Sequence, residues 1–185
     1  FARSVQTARA VVAEVDAADA DKPTPCPDWD AEMMACHIIA ILDRVRGAAE
    51  ARDLMEMPLL HDTTVDRLVV AFDASAQALH ESWSDPSLLG REMTLPFGAL
   101  PGAAVMAVYS SELLVHTWDL AAAIGVEPNW HDTDVAMATA VVTEGIPAEP
   151  RGAEMPFDPV VALPADAPPI HHLAAWLGRN PADWT

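Results

Sequence analysis

The stretch Ser110-Ser-Glu-Leu-Leu-Val-His-Thr-Trp-Asp-Leu120 decides how this chain folds. It lies within a longer run, Ala103 to Ile124, that contains neither Lys nor Arg and stops at Gly125. Apolar residues occupy nearly its whole circumference, so the run predicts a long helix enclosed by other helices. Into it the sequence inserts Glu112 and His116, four residues apart, which places both side chains on one face. A carboxylate and an imidazole withdrawn from water are costly unless they pair with each other or bind a metal.

The enclosing helices can be read on either side of this run. A first helix is expected from the start of the chain to Ala20, with Val5, Ala8, Val12 and Val15 on one stripe. The three prolines of Lys22-Pro-Thr-Pro-Cys-Pro27 then forbid helix, because each removes an amide donor and fixes φ. Asp28 is expected to cap a second helix that carries Met34, His37, Ile38, Ile41, Leu42 and Val45 at helical spacing and ends near Gly47. A third should begin near Asp62 and bury Val65, Leu68, Val69, Phe72, Ala76, Leu79 and Trp83. Pro96-Phe-Gly98 and Pro101-Gly102 mark a loop before the fourth helix, and Asp132 or Asp134 should cap a fifth that ends around Gly145.

The last 40 or so residues differ in character, with eight prolines between Pro147 and Pro181. Pro159 to Leu163 suggests a short extended stretch, and Pro169 to Leu177 a short helix stopped by Gly178. The expected architecture is all-α: a four-helix bundle over residues 1–146, with a Pro-rich extension, 147–185, that packs on it and forms no separate domain.

Composition excludes several function classes. A chain of 185 residues, 51% hydrophobic and 21% charged, fits one domain with a sizeable core. Ten Lys plus Arg against 28 Asp plus Glu give a formal charge of −18, which repels phosphate backbones, so no nucleic-acid partner is expected. The most apolar segment, around 99–124, carries Glu112, His116 and Asp119, which argues against a membrane span. Cys26 and Cys36 lack Cys-x2-Cys spacing, so neither a zinc ribbon nor a disulfide scaffold is implied and a reducing, cytoplasmic setting is expected. A disulfide between the two stays open at this point. The numbering opens inside an apparent helix, so further residues are expected before Phe1. The high apolar fraction is compatible with a homodimer, although nothing in the chain locates an interface.

His37 falls within the apolar stripe of the second helix and should point into the bundle. Two His and one carboxylate from neighbouring helices can converge on one ion. Three protein ligands leave a coordination position open, as in catalytic zinc sites, and the same set describes the non-haem iron triad. The plainer alternatives are a satisfied core histidine at 37 and a simple buried pair between Glu112 and His116. Asp119, three residues after His116, is placed either to orient that imidazole or to pair with an Arg. Trp118 reads as packing, His171 and His172 as surface, and His61, His80 and His131 as capping or solvent histidines. Phosphate-loop, nucleophile-elbow and His-Glu-x-x-His motifs are absent from the sequence.

Thr24-Pro-Cys-Pro-Asp-Trp29, the helix bearing His37, and Glu112-x3-His116-x-Trp118-Asp119 together resemble the DinB/YfiT-like superfamily of metal-binding bundles, in particular its mycothiol-dependent maleylpyruvate isomerase N-terminal branch. The tail, Pro164-Ala-Asp-Ala-Pro168 and Leu173-Ala-Ala-Trp-Leu-Gly-Arg-Asn-Pro181, resembles the ending of a small actinobacterial family in that branch. The resemblance implies a divalent metal, usually Zn2+ with Ni2+ or Fe2+ compatible, held by His37, Glu112 and His116. It also implies a low-molecular-weight thiol co-substrate that the metal converts to a thiolate, for addition to a cis double bond in an isomerase or for transfer to a small electrophile. The chain departs from the isomerase pattern in that a Pro-rich tail stands where an additional domain is expected, which counts against the maleylpyruvate reaction itself. A metal-dependent hydrolase, with Asp119 conceivable as its base, and a non-catalytic metal- or ligand-binding module are the competing expectations, alongside a buried polar network with no metal.

Overall fold

A computed structural model describes residues 1–151 and 157–184. Residues 152–156 of the Pro-rich extension, and Thr185, lie outside the described residues.

The chain forms α1 (Ala2–Val12), α2 (Ala31–Ala49), α3 (Leu68–Ser82), β1 (Glu92–Leu95), β2 (Gly98–Pro101), α4 (Gly102–Ile124), α5 (Asp132–Gly145) and α6 (Pro169–Trp176), with short 3-10 turns at Val65–Arg67, Pro86–Leu89 and Pro181–Trp184. The protein is therefore helical, as expected. Helix α4 lies at its centre and packs against α1, α2, α5 and α6, while α3 closes the bundle against α1 and α2. Two apolar clusters divide the faces of α4. Val105, Tyr109, Leu113, Leu120 and Ala121 join α1, α2 and α3, whereas Leu114, Val115 and Trp118 meet Val135, Ala138 and Val142 of α5 and Ile170, Leu173 and Ala174 of α6. Burial on both sides is what an all-round apolar helix requires.

Several expected boundaries move. Helix α1 stops at Val12, not Ala20, because Glu14 and Val15 turn back onto Val11 and Val12 and the Asp16 carboxylate then accepts from Ala18 N–H. The cap of α2 is Asp30, whose side chain accepts from Met33 N–H at 2.8 Å; Asp28 does not serve. Helix α2 continues to Ala49, past Gly47. The third helix begins as the turn Val65–Arg67 and becomes α-helical only at Leu68. Of its expected core residues, Leu68, Phe72 and Leu79 are buried, and Val65, Val69, Ala76 and Trp83 are half-buried.

The segment read as a plain loop holds an antiparallel hairpin, in which Leu95 pairs with Gly98 across Pro96-Phe97. Met93 and Leu95 turn into the core. Helix α5 has His131 at its N-cap with no side-chain bond, and neither Asp132 nor Asp134 caps it, because Asp134 is held by Arg3 of α1. Within the tail, Val161 N–H bonds Ala175 O at 3.0 Å without forming a strand. Gly178 then ends the α6 segment at φ +89°, where an added Cβ would lie 2.7–3.0 Å from Asp158, so glycine is required there.

Candidate metal centre

Helix α2 brings His37 to the bundle interior because it occupies the same stripe as Met34, Ile38 and Ile41, all fully buried. Helix α4 brings Glu112 and His116 to the facing seam. Ligand-capable atoms of the three side chains lie within 4.8 Å of one another. His37 Nε2 stands 3.5 Å from Glu112 Oε1, close to the separation of about 3.4 Å that two ligands of a tetrahedral ion adopt. The two imidazoles meet edge-on with centroids 4.7 Å apart.

The outer nitrogens are already committed. His37 Nδ1 lies 2.8 Å from Leu59 O, and because a carbonyl can only accept, this nitrogen carries the proton. His116 Nδ1 lies 2.9 Å from Asp119 Oδ2 and donates to that carboxylate. Both rings are thereby fixed in the tautomer that leaves Nε2 as a lone-pair donor, the arrangement seen around metal-ligating histidines.

Electrostatics favour a neutral His116 ring beside an ionised carboxylate. Burial lowers the His116 pKa, and Asp119 only partly offsets it, so this imidazole is neutral at pH 7. Burial alone would raise the Glu112 carboxyl; its contact with His37, the neighbouring His116 imidazole and the Arg44 guanidinium outweigh burial and hold it below its ordinary value. Asp119 behaves alike: burial opposes ionisation, and Arg179 with His116 prevails.

Three contributors escape a reading of ligand residues alone. Trp29, from the Thr24–Trp29 segment, meets His37 in a tilted contact with centroids 4.2 Å apart and reaches His116 at 6.0 Å. It is held there by Thr24 Oγ1, which donates to Trp29 O at 2.7 Å. Arg44 lies seven residues after His37 on the same face of α2, is buried, and donates to Met57 O at 3.1 Å, with its charge felt at Glu112. A lone Arg at that spacing in an apolar stripe is the signal that marks it. Arg179 reaches back from the tail to make a two-pronged contact with Asp119, at 3.1 Å from Nε to Oδ1 and 2.8 Å from a terminal nitrogen to Oδ2.

Asp119 therefore does both things expected of it: it orients His116 and pairs with an Arg. With both oxygens engaged and no exposure, it is not free to act as a base toward the centre. The remaining histidines stand apart. His61 pairs with Asp43 at 2.8 Å and caps nothing; His80 and His131 are exposed; His171 and His172 are half-buried, not surface, and His171 meets Trp118 edge-on. Trp118 packs as expected. Both cysteines are free thiols, and burial pushes that of Cys36 up to about 11, which keeps it inert.

The chain is 32% identical over 176 residues, 92% of its length and 91% of the relative's, to an uncharacterised protein of Mycobacterium tuberculosis found in strains CDC 1551 and H37Rv. Two solved structures share its fold: a mycothiol-dependent maleylpyruvate isomerase, with a TM-score of 0.59, and a histidine-to-alanine mutant of that enzyme, with 0.55. Both are 14% identical to this chain and cover 76% of it, and the chain spans 64% of their length. The profile of the mycothiol maleylpyruvate isomerase N-terminal domain matches residues 1–121, the segment that contains His37, Glu112 and His116. On that match and the mycobacterial likeness, the chain belongs to the mycothiol maleylpyruvate isomerase N-terminal domain family.

Proposed function

We propose that this protein binds one divalent metal ion, Zn2+ by preference, through His37, Glu112 and His116, and uses it in a thiol-dependent transferase or isomerase reaction on a small electrophile. The observation that carries the reading is the convergence of the three donor atoms within 4.8 Å, each imidazole having its other nitrogen bonded outward. The thiol is of the mycothiol type, by analogy with the isomerases that share the fold.

Bound there, the ion supplies the charge that lowers the pKa of a thiol, so that the nucleophilic thiolate is present near neutral pH. The chain's own residues do the rest. His37 and His116 have their Nδ1 protons held by Leu59 O and Asp119, which turns the other ring nitrogen to the ion. Glu112 adds one negative charge to the donor set, and Arg44 moderates it. Trp29 covers the imidazoles and limits the approach of water. Three protein donors leave room for a further ligand. The hydrolase alternative loses its conceivable base, since both Asp119 oxygens are taken.

The test is turnover. Metal-loaded protein is incubated with mycothiol and a panel of small electrophiles, including cis-alkenes, while thiol consumption and alkene geometry are followed. Thiol-dependent conversion that disappears in Glu112→Ala supports the reading. Conversion without thiol, or the same rate in Glu112→Ala, contradicts it.

A further inference from the structure

We infer that Arg179 is a positioning residue for the metal centre: the C-terminal tail reaches His116 through the relay Arg179–Asp119–His116 and so helps to set the strength with which the centre holds its ion. The inference rests on the metal reading above and extends it beyond residues 1–121, the part of the chain that the family profile covers.

The relay is built from contacts sixty residues apart in sequence. Asp119 has no solvent exposure, and among the described residues its carboxylate bonds the His116 ring and the Arg179 guanidinium. A neutral imidazole cannot balance a buried carboxylate; Arg179 supplies the opposing charge and fixes both oxygens at once in the fork geometry particular to arginine. With Oδ1 and Oδ2 pinned, the plane of the carboxylate is set, and with it the direction along which His116 Nδ1 can donate. That direction determines where Nε2 points.

The tail is constructed to deliver this guanidinium. Ile170, Leu173, Ala174 and Leu177 anchor α6 in the cluster shared with α4 and α5. Gly178, in its left-handed conformation against Asp158, turns the chain, and Arg179 N–H then bonds back to Ala174 O at 3.0 Å. A third prong, from a terminal nitrogen of Arg179 to Leu177 O at 3.1 Å, removes the remaining freedom of the head group. A surface arginine would show none of this; the Arg179 side chain is 12% exposed.

The experiment compares wild type, Arg179→Gln, Arg179→Lys, Asp119→Asn and the double variant Asp119→Asn/Arg179→Gln. Co2+ affinity and the ligand-field spectrum are read below the melting temperature of every variant. Loss of a group that orients a ligand weakens metal binding by about 10- to 100-fold. Arg179→Gln should fall in that range with an altered spectrum, and Arg179→Lys, which keeps the charge but not the fork, should recover only part of the loss. Because Arg179 acts through Asp119, adding Arg179→Gln to Asp119→Asn should cost no further affinity.

Wild-type affinity in Arg179→Gln, with only the melting temperature lowered, would reduce Arg179 to a structural strut and overturn the inference while leaving the metal reading intact. If wild type binds no Co2+ or Zn2+, the metal reading fails. The relay is then judged on long-range 15N–1H spectra of the His116 ring in metal-free protein. A shifted tautomer balance in Arg179→Gln supports it, and an unchanged ring refutes it.

Discussion

Two histidine–carboxylate pairs of almost equal length show what separates a functional group from an ordinary one in this molecule. His116 Nδ1 lies 2.9 Å from Asp119 Oδ2, and His61 Nδ1 lies 2.8 Å from Asp43 Oδ2. The contacts are the same; the surroundings are not. The first pair is 13% and 0% exposed, lies beside Glu112 on α4 and faces His37 across the α2/α4 seam, and has its charge balanced by Arg179. The second is 30% and 20% exposed, lies at the edge of the loop that precedes the third helix, and shares Asp43 with Arg46 at 3.8 Å. Among the described residues His61 and Asp43 gather no third ligand. Convergence with a third group, and the burial of His116 and Asp119, set the first pair apart more than the bond itself does.

The contrast can be broken most forcefully at the carboxylates. Asp119→Ala strands a buried guanidinium and should destabilise the fold by about 3–5 kcal/mol. Asp43→Ala removes a half-exposed partner and should cost no more than about 1 kcal/mol. Thermal or urea melts of the two variants decide; equal losses would erase the distinction.

Acid should separate the pairs next. His116, Glu112 and Asp119 all have pKa values below their unfolded ones, so each binds protons more readily when the chain unfolds. Stability of the metal-free protein should therefore be level above the ordinary histidine value, 6.5. It should decline as pH falls below that value, by up to about 1.4 kcal/mol per pH unit for each proton in play, because burial lowers the pKa of both His116 and His171. His116→Gln should flatten part of that decline, and the remainder should follow His171.

The smallest effects concern groups the account treats as bystanders. His61→Ala should change stability by less than about 1 kcal/mol and leave metal content untouched. Cys36, with its thiol pushed up to about 11, should resist alkylation at pH 8 in the folded protein, as seen by peptide mass mapping. Rapid labelling of Cys36 would mean the seam beside His37 is open to solvent.

The sequence already carried α4, the helices around it and the three side chains that meet at the seam, because helical period and the cost of buried charge are local signals. What escaped it was non-local or made of backbone. The partner of His37 is the carbonyl of Leu59, and a carbonyl leaves no mark on residue identity. Arg179 meets Asp119 from another part of the chain, so only the either-or at Asp119 could be stated. The β1–β2 hairpin was hidden by Pro96 and Gly98, which signal a turn but not what flanks it, although the alternating burial of Met93 and Leu95 is the strand period in miniature. At the entrance to α2, Asp28 was the expected cap, and the cap is Asp30, which offers the same side chain two residues later. The fold of Pro23 onto Asp30 and the tie from Thr24 to Trp29 select the later one.

The central claim is that His37, Glu112 and His116 form one metal site, and elemental analysis tests it most directly. Untagged protein purified without chelator or nickel resin should contain about one divalent ion per chain, with zinc predominant, and His37→Ala and Glu112→Ala should each lose it. Metal-free wild type that also fails to take up added Zn2+, or full metal content in both variants, would contradict the account.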